Sequence, residues 1–189
     1  MSKKRIAILI EDLYQDLEVW YPIYRLREAG YEVITIEPRN QKRYIGKNGY
    51  PIDVDCSIND VSPEDFDAVV IPGGFAPDKL RLSQKILNFV KVIYNQDKVV
   101  ASICHGGWVL VSAGICKGKT LTSYIAIKDD VVNAGAKFVD EEVVRDGNLI
   151  TSRKPDDLPA FCRTILEALE SDTNSRNKNS LKSKTSLKK

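Results

Sequence analysis

The segment Lys98–Leu110 reads KVVASICHGGWVL and gives the strongest indication of the fold. It begins as a short β-branched run typical of a buried strand and ends in a helix-compatible segment, with Cys104 at the junction. This pattern predicts strand, tight turn and helix, a geometry that presents a nucleophile at the end of a sheet, facing a helix N-terminus. Because the positive end of a helix dipole stabilises a thiolate, we expect Cys104 to have a pKa below the roughly 8.5 of free cysteine.

His105 is the only histidine of the chain and follows Cys104 directly, and two glycines come next. Glycines at such a turn allow substrate or neighbouring backbone to approach closely. The alternative interpretation of Cys104 is a buried cysteine that acts only as a small hydrophobic residue. The strand-to-helix junction favours the nucleophile.

Outward from this segment, apolar runs alternate with amphipathic segments. The predicted strands are Arg5–Ile10, Tyr31–Glu37, Asp67–Ile71, Val99–Ile103, Thr120–Ser123, Lys137–Val139, Glu142–Arg145 and Leu149–Ser152, and the predicted helices are Asp16–Ala29, Ser83–Asn95, the one after Cys104, Lys128–Ala134 and Pro155–Glu170. The alternation predicts an α/β fold with a mostly parallel open sheet and helices on both faces, of the flavodoxin-like or class I glutamine amidotransferase-like type. Asn48-Gly49 predicts a small β-hairpin extension within Arg43–Asp55.

The first two helices have recognisable apolar faces. In the first, the residues at helical spacing are Leu17, Trp20, Tyr21, Tyr24 and Leu26, and we expect these to face the core. In the second, Ser83 is the predicted N-cap.

Length and composition indicate one domain with a tail. With 189 residues, 43% of them hydrophobic, the chain can bury one core, which we assign to residues 1–170. Residues 171–189 lack aromatics and carry six basic residues and one acidic residue, so we expect a disordered basic tail. Because the whole chain has a net charge of +2, the domain itself is acidic, at −3, which does not favour specific nucleic-acid binding.

The remaining composition predicts a cytoplasmic protein without metal. No apolar run is long enough for a signal peptide or a membrane span. The four cysteines, Cys56, Cys104, Cys116 and Cys162, are widely spaced and are predicted to be reduced thiols. One histidine and no paired cysteines do not favour a zinc site.

Several of these segments are predicted to converge. In an open parallel sheet, ligands bind beyond the carboxyl ends of the strands. Cys104, the Gly73-Gly74 pair and the segment after Ile10 all follow predicted strands. The sequence therefore predicts a site at this edge.

Four motifs, in this order along the chain, resemble those of the DJ-1/PfpI family, on its PfpI-like branch: Tyr21-Pro22-x-x-Arg25-Leu26, Ile71-Pro72-Gly73-Gly74, Ile103-Cys104-His105-Gly106 and Asp129-Asp130-x-x-Asn133-Ala134-Gly135-Ala136. The resemblance covers about residues 4–169. It implies a nucleophilic Cys104 with His105 as its partner. It also implies an oxyanion pocket formed by backbone N–H groups of His105 and of Gly73 or Gly74, which would stabilise the negative charge that develops on an attacked carbonyl.

The same resemblance exposes departures. Where family members often carry a glutamate that hydrogen-bonds the cysteine, we align Gln15, whose amide cannot carry a proton. A second acid of the family reaches the Cys–His pair across a subunit interface, and Asp78 matches it with a shorter side chain. Gly107 stands where proline is common, and Tyr124 falls near the family's site or packs in the core.

The expected function is a cofactor-free, homo-oligomeric cysteine enzyme, a dimer or hexamer with Asp78 at an interface. The resemblance implies a small carbonyl or peptide substrate, and hence a glyoxalase, a deglycase or an intracellular cysteine peptidase. The alternative is a non-enzymatic redox sensor or chaperone that uses Cys104. A glutamine amidotransferase is excluded because no histidine follows His105.

The predicted tail leads to a simple test. Because residues 171–189 contribute no apolar core, we expect their deletion to leave the activity and the melting temperature unchanged. A thermal melt of the truncated chain checks this. A drop of several degrees, equivalent to roughly 1 kcal/mol or more, would show that the tail docks on the domain.

Overall fold

A computed structural model describes residues 3–171 of the chain. The strands are β1 (Arg5–Leu9), β2 (Glu32–Glu37), β3 (Arg43–Ile45), β4 (Pro51–Asp53), β5 (Cys56–Ser57), β6 (Ala68–Ile71), β7 (Val99–Ile103), β8 (Thr120–Leu121), β9 (Lys137–Phe138), β10 (Val143–Asp146) and β11 (Leu149–Ser152). The helices are α1 (Asp16–Glu28), α2 (Ala76–Leu80), α3 (Gln84–Asn95), α4 (Gly107–Ala113), α5 (Lys128–Asn133) and α6 (158–171).

Seven strands form one central sheet in the order β10-β11-β7-β6-β1-β2-β5. All its pairs are parallel except β10 with β11. Every residue of β6 and β7 is buried, although successive side chains of a strand point to opposite faces. The sheet is therefore covered on both sides, and the predicted α/β architecture is confirmed.

The predicted hairpin is also confirmed. Strands β3 and β4 pair antiparallel around Asn48-Gly49. The Asp16 carboxylate, at the first residue of α1, accepts hydrogen bonds from the backbone N–H groups of Asn48 and Tyr50. These contacts fix the hairpin against the start of α1, beside the carboxyl edge of the sheet.

Helix α3 begins as expected, since the Ser83 hydroxyl accepts a hydrogen bond from the Ile86 N–H. Helix α1 has a different buried face from the predicted one. Leu17, Tyr21 and Tyr24 are exposed, whereas Glu18 is buried together with the residues Val19, Pro22, Ile23 and Leu26. Of the five predicted core residues of this helix, only Leu26 is fully buried.

Two short elements were not predicted from the sequence, α2 and β5. The last helix extends to residue 171, so the first residue of the predicted tail lies in its final turn, and residues 172–189 lie outside the described part of the chain. No helix within residues 3–171 is long and apolar enough to cross a membrane.

Candidate active site

Cys104 occupies a strained turn at the carboxyl end of β7. It follows Ile103 directly, has φ +60°, and begins a single 3₁₀ turn that leads into α4. A positive φ is uncommon for a residue with a side chain and is often found at functional sites. A Cβ on Gly106 would lie 2.6 Å from the Ile71 carbonyl oxygen and 2.7 Å from the Ser102 hydroxyl, so the turn requires glycine there. The predicted strand–turn–helix geometry is confirmed.

The carboxyl group next to Cys104 belongs to Glu18. This side chain comes from the buried face of α1 and has no exposed surface. Its Oε2 accepts a hydrogen bond of 2.7 Å from the Gly73 N–H, and the carboxyl group also interacts with the Cys104 thiol. A Cβ on Gly73 would lie 2.6 Å from Cys104 Cβ and 2.7 Å from Glu18 Oε2. Only glycine therefore allows these three residues to meet.

The assignment of Gln15 to this position is wrong. The Gln15 side chain caps α1 by accepting a hydrogen bond from the Leu17 N–H at 2.7 Å, while the residue lines the mouth of the pocket described below. Glu18 is one turn further along the helix, and it supplies the protonatable group that the sequence analysis considered absent. Acid–base chemistry beside the cysteine is therefore available to this chain.

The two groups perturb each other's ionisation. Burial raises the pKa of Glu18 to about 7, against the opposing effect of the Gly73 hydrogen bond. Burial, followed by the Glu18 charge, raises the pKa of the Cys104 thiol to about 12, against the backbone N–H groups of Gly74 and His105. The predicted lowering of the thiol pKa is wrong because it left out desolvation and the neighbouring carboxylate.

The backbone donors are narrowed to two. Because the Gly73 N–H is bound to Glu18, it cannot serve an oxyanion. The N–H groups of Gly74 and His105 interact with the Cys104 sulfur and are the donors that remain beside it. Gly74 has φ +76°, and a Cβ there would lie 2.4 Å from the Leu13 carbonyl oxygen.

The His105 ring lies next to the sulfur, with 3.4 Å between Nδ1 and Sγ. Tyr124 stacks on it at 4.9 Å between ring centroids, and Trp108 meets it edge-on at 5.2 Å. Trp108 is itself anchored by a 2.9 Å hydrogen bond from its Nε1 to Asp130. Burial, and then the charge of Lys47, lower the pKa of His105, so the ring is neutral at pH 7. Tyr124, expected near the site, therefore lies in it.

Asp78 does not reach this pair within its own chain. It lies exposed on α2, and no carboxylate among residues 3–171 is hydrogen-bonded to the His105 ring. Within the same residues, no cluster of His, Cys, Asp or Glu could hold a metal ion.

A pocket of about 190 Å³ opens over Cys104, and several of its residues were not predicted. It is lined by Gln15, Glu18, Lys47, Gly74, Phe75, Cys104, His105, Tyr124, Lys154 and Pro155. Lys154 and Pro155 follow β11, the neighbour of β7, so the rule on carboxyl ends of strands applied to them as well. Lys47 comes from the hairpin, and no sequence motif indicates its role.

Comparison with known proteins gives consistent matches. The model of the DJ-1/PfpI family matches residues 4–168. The chain is 47% identical over 171 residues to protein/nucleic acid deglycase 2 of Escherichia coli, covering 89% of this chain and 99% of that one. It is 43% identical over 166 residues to deglycase PfpI of Pyrococcus furiosus, covering 88% of this chain and 99% of that one.

Solved structures show the same fold. A two-domain protein of Anabaena variabilis, with DJ-1/ThiJ/PfpI-like and ferritin-like domains, superposes with a TM-score of 0.87 at 44% identity over 89% of this chain, which spans 48% of that protein. Drosophila melanogaster DJ-1beta superposes with a TM-score of 0.83 at 27% identity, covering 92% of this chain and 97% of that one.

Proposed function

The chain belongs to the DJ-1/PfpI family, and from that premise we propose that it is a cysteine-nucleophile hydrolase that acts as a deglycase on small reactive carbonyl compounds and their early adducts. One observation carries this proposal: the Cys104 sulfur lies in a small pocket beside a buried carboxyl group and two backbone N–H donors. Thiolate, proton donor and oxyanion donors are the groups that addition to a carbonyl requires.

The first step uses these groups together. The Cys104 thiolate attacks the carbonyl carbon, a C–S bond forms, and the carbonyl π electrons move to the oxygen. Protonated Glu18 gives its proton to that oxygen and becomes a carboxylate, while the N–H groups of Gly74 and His105 stabilise the developing charge. The product of this step is a hemithioacetal on Cys104.

For an α-oxo aldehyde, the following steps need only a base and water. Neutral His105 takes the proton from the hemithioacetal carbon and returns it to the neighbouring carbonyl carbon, which converts the adduct into a thioester. Water hydrolyses the thioester to a 2-hydroxy acid and restores the thiol. The overall change is the addition of one water molecule.

The size of the pocket favours this substrate class over a peptide. A volume of about 190 Å³ suits a compound of a few non-hydrogen atoms and is below the roughly 300–1,000 Å³ of typical drug-sized sites. Peptide hydrolysis, which the same thiolate chemistry allows, is the second candidate. A panel with methylglyoxal, a methylglyoxal adduct of an amino acid and a fluorogenic peptide distinguishes them. We expect turnover of the first two, and cleavage of the peptide alone would reject the deglycase.

A homo-oligomer is also part of the proposal. Phe75 and Leu82, on either side of α2, expose 64% and 81% of their surface, which is unusual for large apolar side chains so close to a catalytic pocket. Asp78 lies between them on the same helix. A second copy that covers this face would bury the apolar side chains and could bring Asp78 to the His105 of its neighbour.

Asp78→Asn tests this arrangement. If the carboxylate orients a neighbour's His105, we expect kcat to fall about 10- to 100-fold with little change in KM, because the group acts through histidine and not on substrate. Asp60→Asn, an exposed acid elsewhere, is the matched control. A fully active monomer in light scattering at micromolar concentration would contradict the proposal.

A further inference from the structure

The pocket over Cys104 has an uneven charge distribution. Its charged lining residues are Glu18, Lys47 and Lys154. Glu18 is fully buried beside the sulfur, whereas both lysines are exposed. A ligand that approaches Cys104 from solvent therefore meets two ammonium groups and no exposed carboxylate of the lining.

Lys47 is held at this pocket by the fold of the hairpin. Its backbone N–H donates a 2.8 Å hydrogen bond to the Tyr14 carbonyl oxygen, and the adjacent Asn48 is bound to Asp16 at the start of α1. Among residues 3–171, no ion pair or hydrogen bond engages the Lys47 ammonium group. Its charge nevertheless reaches the catalytic groups, since it lowers the pKa of both Glu18 and His105.

Lys154 is less free but is available. Its ammonium group lies 3.1 Å from the Asp156 carboxylate, and both side chains are largely exposed. An exposed ion pair of this kind is weak, because water and salt screen it. An anion in the pocket can therefore replace Asp156 as the partner of Lys154.

We propose that the preferred substrates carry an anionic group, a carboxylate or a phosphate, next to the reacting carbonyl, and that Lys47, assisted by Lys154, binds this group. A lysine ammonium acts as a compact point charge, which accepts either kind of anion. Phe75 and Tyr124 provide the apolar part of the same lining. The inference rests on the proposed function and adds the charge of the substrate to it.

Anion binding would also change the base. The Lys47 charge is one of the two causes that lower the pKa of His105. A carboxylate bound to Lys47 neutralises that charge, so the pKa of His105 rises and the ring becomes a stronger base when substrate is present. Because His105 is the only histidine, its NMR signal reports this shift without overlap.

Two alkylating reagents of different charge test the site without any turnover. Iodoacetate is an anion and iodoacetamide is neutral, and both react with the same thiolate. The ratio of their rates at Cys104, mapped by mass spectrometry, is therefore independent of the fraction of thiolate. We expect Lys47→Met to lower the iodoacetate-to-iodoacetamide ratio by about tenfold, the effect of one nearby charge in a partly screened pocket.

The control is Lys91→Met, an exposed lysine on α3 outside the pocket lining, which should leave the ratio unchanged. Acetate and inorganic phosphate, added as competitors of iodoacetate, distinguish a carboxylate site from a phosphate site. A ratio that is the same in wild type and Lys47→Met, or that falls equally in Lys91→Met, would overturn the inference.

A kinetic comparison separates this inference from the proposed function. Glyoxylate and methylglyoxal are both α-oxo aldehydes, and only glyoxylate is an anion. We expect kcat/KM of glyoxylate relative to methylglyoxal to fall about tenfold in Lys47→Met. If wild type turns over neither compound, the proposed function fails while the alkylation ratio still decides the anion site. If methylglyoxal is turned over and the relative value does not change, only the anion site fails.

Discussion

Replacing Cys104 by alanine is expected to lower turnover of methylglyoxal and its adducts by roughly 10⁴-fold or more, because the covalent intermediate cannot form without the sulfur. The side chain is only 7% exposed and small, so its removal leaves the sheet and α4 in place. Steady-state kinetics on the purified variant, with circular dichroism to verify the fold, measures the effect. The buried carboxyl of Glu18 loses its neighbour in this variant and gains no new charge.

Cys116→Ala is the matched control for this experiment. Cys116 is also buried, and burial raises the pKa of its thiol to about 12, but it does not line the pocket. We expect its activity to equal that of wild type. Retention of a tenth of the activity in Cys104→Ala, or an equal loss in Cys116→Ala, would reject Cys104 as the nucleophile. Low activity in both wild type and variant, with rapid oxidation of Cys104, would instead favour a redox sensor.

The sheet could be predicted from the sequence because its strands are apolar on both faces. Runs such as Ala68–Ile71 and Val99–Ile103 have no polar residue facing water, a pattern that fits only a doubly covered parallel sheet. The short elements α2 and β5, at five and two residues, are too short for any periodicity to indicate them. Their positions depend on tertiary contacts.

The nucleophile could be predicted, but the acid beside it could not. Helix α1 carries apolar residues on two sides, and the aromatic side, with Tyr21 and Tyr24, was taken for the core. The buried side is the other one, and Glu18 lies on it. A charged residue is rarely assigned to a core from sequence alone, so the helix phase and the catalytic acid were missed together. A buried glutamate was recognisable only from its hydrogen bond to Gly73.

Glu18→Gln tests whether this buried acid acts with Cys104. Because Gln cannot hand a proton to the oxygen of the attacked carbonyl, we expect kcat/KM at pH 7 to fall by about 10²- to 10⁴-fold. The amide keeps the shape of the side chain and can still accept a hydrogen bond from Gly73. Kinetics of wild type and variant over pH 5–9 measure the loss.

The pH dependence distinguishes a proton donor from a structural side chain. The Glu18–Cys104 pair releases its first proton near pH 7, and the second is held to far higher pH. When the remaining proton sits on Glu18, the sulfur is a thiolate that accepts hydrogen bonds from Gly74 and His105. Alkylation of Cys104 should therefore accelerate as pH rises through about 7. In Glu18→Gln, burial still disfavours the lone thiolate, so the midpoint should move above the ordinary cysteine value of 9.0.

Stability should change in the opposite direction to activity. Since the folded state raises the pKa of Glu18 from 4.5 to about 7, it binds this proton more tightly than the unfolded chain, and stability falls as pH rises between those values. Above pH 7 the buried carboxylate costs about 3 kcal/mol, an upper estimate, and the neutral amide avoids that cost. We expect Glu18→Gln to melt several degrees higher than wild type at pH 8 and to match it near pH 4. An inactive variant that is also less stable at pH 8 would make Glu18 a packing residue, whereas a stabilised and inactive one shows a charge retained at the expense of the fold for its chemistry beside Cys104.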